Sequence, residues 1–532
     1  MKKIFLLTLL TILSISLVGC FRNNEEAVDL SKVFPHHENY YQLFVRSFAD
    51  SNGDGVGDFN GITENLDYFE ALGIEGIWLM PIHPTNSKHG YDVLDFYGVN
   101  PEYGTMEDFE NLLDEANERG IKIIIDYVLN HTSNQHPWFL AFRNGEAPYD
   151  QFYRRIPSTD TRVNATGSWG QTIWHRLDTS HYYAGYFGGY MPDLNWHSPV
   201  VQEEMTKIAH FWLEKGVSGF RLDAALHIHG KGEIPASSSP LDETLFALAL
   251  WEFQVKEAYP DAFIVGEVWD SFSMYANFFD SMDSVFHFEF SDLVINSVNS
   301  NGNFQYVDNV VRWENLAKAR QGNAVLSTFL RNHDQDRLAS QLGNDPRRLR
   351  LAAEMLIAAP GTPFLYYGEE LGVLGTRSGT APIWDESVRL PMLFENEYKA
   401  TWPMDDWGYQ DNFNTNVDGI QTQMTDEASL FNIYSRMLHL RQSSIALRYG
   451  TAVAYELNNS QLQGFYRVLD YDEFNREIIL VLHNLGNNDI MVEETGEILY
   501  YTLFDFDGIL APKSTVIIRL PDARIGSVLT NE

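Results

Sequence analysis

Between residues 40 and about 445 the chain repeats one pattern, a short apolar and often β-branched run followed by a longer stretch with apolar positions at helical spacing. Eight runs stand out, at 40–47, 74–81, 121–128, 217–223, 263–267, 285–290, 325–332 and 362–367. Strands covered on both faces read as continuous apolar runs, and strands that alternate with helices lie parallel. Eight βα units therefore predict an α/β fold, a closed (β/α)8 barrel with its reactive groups at the C-terminal ends of the strands. Residues 129–216 separate the third run from the fourth, too many for an ordinary βα loop. Within them, 132–195 is rich in Trp, Tyr, Gly and Asn and predicts a small excursion domain, so that the barrel is assembled from 35–131 and 196–446. After a helical pattern at 427–442 the period changes: alternating runs at 477–483 and 515–520 predict an antiparallel β domain, of the sandwich kind, over 447–532.

The amino terminus follows a different pattern. Lys2 and Lys3 precede an apolar stretch, 4–16, that is too short to span a bilayer, and Leu17-Val18-Gly19-Cys20 follows. Cys20 is the only cysteine, so no intramolecular disulfide is available. The segment resembles a bacterial lipoprotein signal, with 1–20 removed up to a lipid-modified Cys20 and the acidic stretch 21–34 as a tether. The alternative is a secretory signal with an incidental cysteine. The lipoprotein reading places the mature protein on the outer face of a bacterial membrane.

Composition narrows the partners. With 532 residues, 44% of them hydrophobic, the chain can bury a large core. Its net charge of −36 repels nucleic acid and does not favour anionic lipid, whereas a neutral polymer is indifferent to it. The acid excess fits life at high salt and fits a merely well-solvated surface.

Candidate chemistry concentrates in Gly219-Phe220-Arg221-Leu222-Asp223-Ala224-Ala225. In an extended strand Phe220 and Leu222 share one apolar face, while Arg221 and Asp223 share the other. Burying such a pair is costly unless the two groups pair or do chemistry. Three further segments end apolar runs in the same way: Asp126-Tyr127-Val128-Leu129-Asn130-His131, Gly266-Glu267-Val268-Trp269 and Arg331-Asn332-His333-Asp334.

Taken together and in this order, the four segments closely resemble the signature segments of the α-amylase family of glycoside hydrolases. The resemblance implies that Asp223 is the nucleophile of a retaining mechanism, Glu267 the acid/base and Asp334 a third carboxylate binding sugar hydroxyls. It implies that Arg221 keeps Asp223 ionised and that Glu267, near Trp269, has a raised pKa. His131 and His333 are implied as substrate contacts, Asp126 as support behind them, and Tyr91 in Lys88-His89-Gly90-Tyr91-Asp92 as a stacking platform. Trp138, Trp169, Trp174, Tyr183, Tyr186 and Trp269 are candidates to extend the cleft, although each taken singly reads more readily as core.

From Asp50 to Asp58, oxygen ligands stand at positions 1, 3, 5 and 9 (Asp50, Asn52, Asp54, Asp58), with Gly55 at 6 and the Val56 carbonyl at 7. That is calcium-loop spacing, but Gly61 stands where the bidentate Glu of position 12 belongs. Family resemblance supports Ca2+ here. It also suggests a second site using the Asn130 side chain and the His227 carbonyl, for which the sequence identifies no excursion-domain ligand.

Met191-Pro192-Asp193-Leu194-Asn195 resembles the group between oligo-1,6-glucosidases and neopullulanases, which includes lipoprotein α-amylases. Exo-acting members carry an acid three residues before the platform tyrosine; Lys88 stands there, which implies an open cleft and internal cutting of α-1,4-glucan, such as starch, glycogen or maltooligosaccharides, by a monomer. Arg389-Leu390-Pro391-Met392 instead resembles oligosaccharide-acting relatives. A cyclomaltodextrinase, neopullulanase or glucanotransferase activity therefore stays open. So does a non-catalytic glucan-binding or membrane-partner barrel, although barrels of that kind lose carboxylates that are all present here.

Overall fold

The barrel strands are short because each needs to cross only one wall. In the computed structural model, which describes residues 28–300, 305–379, 385–394, 397–400, 414–457 and 459–530, they are β1 (Tyr40–Leu43), β2 (Gly76–Leu79) and β3 (Lys122–Tyr127), then, after the excursion strands β4 (Arg155–Pro157), β5 (Trp174–Arg176) and β6 (His181–Ala184), β7 (Gly219–Leu222), β8 (Phe263–Gly266), β9 (Ser284–Phe286), β10 (Val325–Phe329) and β11 (Thr362–Tyr366). All eight barrel strands run parallel, and β11 closes onto β1. Cys20 lies outside the described residues.

Two predicted runs end early as strands. Residues 40–47 give a strand only to Leu43, followed by a helix at Val45–Phe48, and the run at 285–290 turns into the helix Phe288–Ser300. Phe44, Val45, Phe288 and Phe290 are buried all the same. A buried apolar run has no period with which to tell strand from helix.

Aromatic side chains fill the barrel interior: Tyr40, Trp78, Phe263, Phe286, Phe329 and Phe364 form one buried cluster, with Tyr40 and Phe364 stacked at 4.7 Å. Outward-facing Phe220 and Leu222 join the main core, Phe220 against Trp251 of the helix Pro240–Ala258. Gly219 is required where β7 passes β8, because a Cβ there would lie 2.0 Å from the Phe263 carbonyl oxygen.

The excursion forms a three-stranded antiparallel sheet in the order β4-β6-β5 over its own small core of Ile156, Ile173, Trp174, Ala184 and Tyr186. It rejoins the barrel through a bridge between His131 and Asp193. The C-terminal unit is a five-stranded antiparallel sheet that docks on the barrel helix Pro346–Ala358, where Glu354 accepts hydrogen bonds from Tyr500 and Thr502 at 2.7 and 2.6 Å. Among the described residues no helix is long and apolar enough to cross a membrane.

Candidate active site

Parallel strands of one register bring their C-terminal residues to one rim. Asp126 on β3 pairs in register with Arg221 on β7, and Asp223, Glu267, His333 and Asp334 follow the ends of β7, β8 and β10. The Arg221 guanidinium is the centre of the arrangement. Its Nη1 donates to Asp126 Oδ1 at 2.6 Å and to Asp223 Oδ1 at 2.8 Å, and its Nη2 lies 2.9 Å from Glu267 Oε2. It packs over the Trp78 ring at 5.0 Å. Immediately after Asp223 the chain turns through Ala224, whose φ of 46° is left-handed, and the Ala224 N–H donates to Glu267 Oε2 at 3.2 Å. Left-handed backbone at a residue with a side chain costs about 1–3 kcal/mol and persists where the surroundings enforce it.

One cation thus serves three carboxyl groups, and burial decides the outcome. Burial pushes Glu267 up to about 7, the neighbouring Asp223 and Asp334 add to it, and Arg221 opposes it. Burial pushes Asp126 up to about 7 as well, against the pull of Arg221. Asp223 is also raised by burial in spite of Arg221. Arg221 lowers Asp223 by its charge and its hydrogen bond, the direction the sequence implied, but the guanidinium is shared with Asp126 and Glu267. Asp334 moves the other way: burial lifts it, but His333, Arg389, Arg221 and Arg377 more than reverse the effect. Because burial drives His333 itself down to about 3, its ring is neutral near pH 7. Arg389, 2.9 Å from Asp334 Oδ1, is then the cation that matters.

Neutral His333 is held between two partners. Gln42 Nε2 lies 2.6 Å from Nδ1, and the Tyr91 hydroxyl lies 2.7 Å from Nε2 and 3.1 Å from Asp126 Oδ2. With the Gln42 amide donating, Nδ1 accepts, Nε2–H donates to Tyr91, and Tyr91 donates to Asp126. Burial likewise lowers His131, to about 4.

These groups open on a cleft of about 390 Å³ that Tyr91, His131, Asp223, Glu267, Trp269 and Asp334 line in common. Trp269 is half exposed and stacks on Phe288 at 4.7 Å. Of the other aromatic candidates, Trp138, Trp174, Tyr183 and Tyr186 are buried as scaffold, and only Trp169 is exposed and faces the cleft. Arg389, Arg377 and Asp385 also line it, on the segment beyond β11. Sequence reasoning singled out Arg389 only within a motif and gave it no place, since nothing local shows that residue 389 returns to residue 334. Lys88 pairs with Glu102 at 3.2 Å.

The loop 50–58 curls around Asp50, whose carboxylate accepts from the Asn52, Gly53 and Gly55 N–H groups at 2.6–2.9 Å. Asp58 is spent on Ser51 and on capping the following helix at Gly61. Asp50, Asn52, Asp54 and the Val56 carbonyl remain an all-oxygen donor set, which suits a hard divalent cation in kind. Among the described residues no group of three or more His, Cys, Asp or Glu is clustered to hold a metal. At the suggested second site Asn130 Nδ2 donates to Asp193 Oδ1 at 3.0 Å, and the adjacent buried cation is Arg154, paired with Glu233.

Residues 42–450 match the family model described as "Alpha amylase, catalytic domain". The chain belongs to the α-amylase family of glycoside hydrolases. It is 37% identical over 508 residues to "Alpha-amylase 3" of Dictyoglomus thermophilum, covering 92% of this chain and 94% of the relative. It is also 30% identical over 465 residues to a 4-alpha-glucanotransferase of Thermotoga neapolitana, covering 85% and 97%. Among solved structures the α-amylase from H. orenii superposes with a TM-score of 0.80 at 33% identity, covering 92% of this chain and all of that one. As a family member the protein is a glycoside hydrolase on a (β/α)8 barrel.

Proposed function

We propose that this α-amylase family enzyme hydrolyses α-1,4-glucosidic bonds within starch, glycogen and maltooligosaccharides with retention of configuration. One observation carries the reading: a single guanidinium spans Asp223 and Glu267 at the floor of an open cleft, with Asp334 beside them. Retaining glycosidases need two carboxyl groups about 5 Å apart, one attacking and one donating a proton. Burial keeps Glu267 protonated up to about pH 7, and the Arg221 Nη1–H that donates to Asp223 Oδ1 favours the ionised form of the nucleophile. Asp223 then attacks the anomeric carbon while Glu267 gives its proton to the departing oxygen, and Glu267 afterwards activates the water that releases the sugar. Asp334, Arg389-paired and ionised, accepts hydrogen bonds from sugar hydroxyls as charge develops on the ring. Tyr91 and His131, which line the cleft, support a sugar on one side of the cut, the buried His333 positions the Tyr91 hydroxyl from behind, and Trp269 lies on the loop that follows Glu267. Lys88 in place of an acid, paired with Glu102, supports internal cutting. The relative named as a glucanotransferase supports a second outcome, in which a sugar hydroxyl replaces water in the second step.

Ca2+ belongs to the same reading. Asp50, Asn52, Asp54 and the Val56 carbonyl would hold it, and it would stiffen the turn after β1 without entering the reaction. We also propose that Cys20 carries the lipid that anchors the enzyme to the outer face of a bacterial membrane. The first test is a time course of products from soluble starch. Early maltooligosaccharides of mixed length are expected, and glucose as the sole early product would contradict internal cutting.

A further inference from the structure

Six aromatic residues qualified from sequence as possible extensions of the cleft, and the fold leaves one of the excursion-domain candidates in the open. Trp169 is 62% exposed and lines the same cleft as Asp223 and Glu267. It sits at the tip of a small hairpin closed by a bridge between Thr166 and Thr172. That tip is tightly fixed. Gly167 N–H donates to the Gln171 carbonyl at 3.0 Å, Gly170 N–H to the Gly167 carbonyl at 3.1 Å, and Trp169 N–H to Gln171 Oε1 at 3.0 Å. From below, the buried Tyr186 hydroxyl accepts from Ser168 N–H and donates to Ser168 Oγ, both at 2.9 Å, and the Tyr186 carbonyl accepts from Gln171 Nε2 at 3.3 Å.

The indole itself rests on rings rather than under them. Its centroid lies 5.4 Å from Tyr186, 5.7 Å from Phe187 and 5.1 Å from His227, and Phe187 in turn lies 5.5 Å from His131. A row of rings therefore runs from His131 beside the reacting groups, through Phe187, to Trp169 at the mouth. Aromatic side chains are also exposed on the helix Pro240–Ala258, at Phe246 and Phe253, but Trp169 differs in lining the cleft that holds Asp223 and Glu267. A loop fixed at four backbone positions to hold an open indole over a cleft is a preorganised binding surface. What it suits is the apolar C–H face of a pyranose, because the side chain offers a flat apolar ring and one donor.

We propose that the Trp169 indole is the platform for a glucose unit of the α-glucan chain outside the bond being cut, and that it sets the preference for long over short chains. The inference rests on the glucan-hydrolase reading and adds the chain-length determinant. Trp269, half exposed on the loop after Glu267, borders the same cleft closer to the reaction.

The experiment compares the full-length wild type with Trp169→Ala and Trp169→Phe on maltotriose, maltoheptaose and soluble starch. For Trp169→Ala, kcat/KM is expected to fall about tenfold on maltoheptaose and starch, mainly through KM, and no more than about threefold on maltotriose, as for lost uniform binding at a remote unit. Trp169→Phe keeps a flat face and should recover most of the loss, which also guards against misfolding of the alanine variant. A second readout uses Asp223→Asn as a non-turning-over background: maltoheptaose should change its tryptophan fluorescence, and adding Trp169→Ala should remove most of that change. An equal loss on all three substrates, or no loss on any, overturns the proposal. Failure of the wild type to cleave any of the glucans would instead overturn the underlying reading.

Discussion

At the level of single residues the site is organised by a shortage of positive charge. Asp126, Asp223 and Glu267 share Arg221, and burial lifts all three. A carboxyl raised to about 7 is an acid that remains protonated below that pH and loses its proton as pH rises through it. The rate should therefore fall on the alkaline side with an apparent midpoint near 7, a value that belongs to the coupled group rather than to Glu267 alone. A pH profile of kcat/KM flat to about pH 9 would contradict the assignment. Asp223→Asn keeps the shape but supplies a poor nucleophile, so purified variant should retain less than about a hundredth of the wild-type rate while its circular dichroism is unchanged. More activity than that, in protein free of wild type, would remove Asp223 from its role.

At the level of elements, the barrel was legible because strands buried on both faces leave predominantly apolar runs, and because charged residues gather toward the C-terminal end of β7. Arg221 and Asp223 were readable for that reason: their alternation with Phe220 and Leu222 survives in the sequence. Arg389 was not readable as a partner of Asp334, since the contact depends on how the segment beyond β11 returns across the rim. Trp169 and Trp174 are the same residue type five positions apart, and only the sheet β4-β6-β5 decides that one is core and the other open. Close strand approach makes its own prediction. Gly219→Ala would place a methyl 2.0 Å from the Phe263 oxygen, so β7 and β8 must separate at a cost of about 1–3 kcal/mol, and in a chain of this size the melting temperature should drop by about 1–3 °C. An unchanged melting curve would show that the strands can part at no cost. The loop 50–58 predicts a different response: chelator should lower the melting temperature more than it lowers the rate at low temperature, because a cation bound only to the native state adds RT ln(1 + [L]/Kd). Identical melting with and without chelator would argue against an ion there.

At the level of the whole molecule, the proposed lipid anchor and the proposed neutral polymeric substrate are both compatible with a strongly acidic chain. Two or more acyl chains on Cys20 would hold the enzyme at the membrane despite its charge of −36. Fractionated cells should carry wild-type activity in the membrane and Cys20→Ser activity in the soluble fraction. Equal membrane retention of both would refute the anchor without touching the enzymology. The central claim, that Asp223 and Glu267 cut internal α-glucosidic bonds by double displacement, is tested most directly by proton NMR of the reducing ends released in the first minutes of starch hydrolysis. New ends should appear as the α anomer and convert to β only by mutarotation. Ends released first as the β anomer would contradict it.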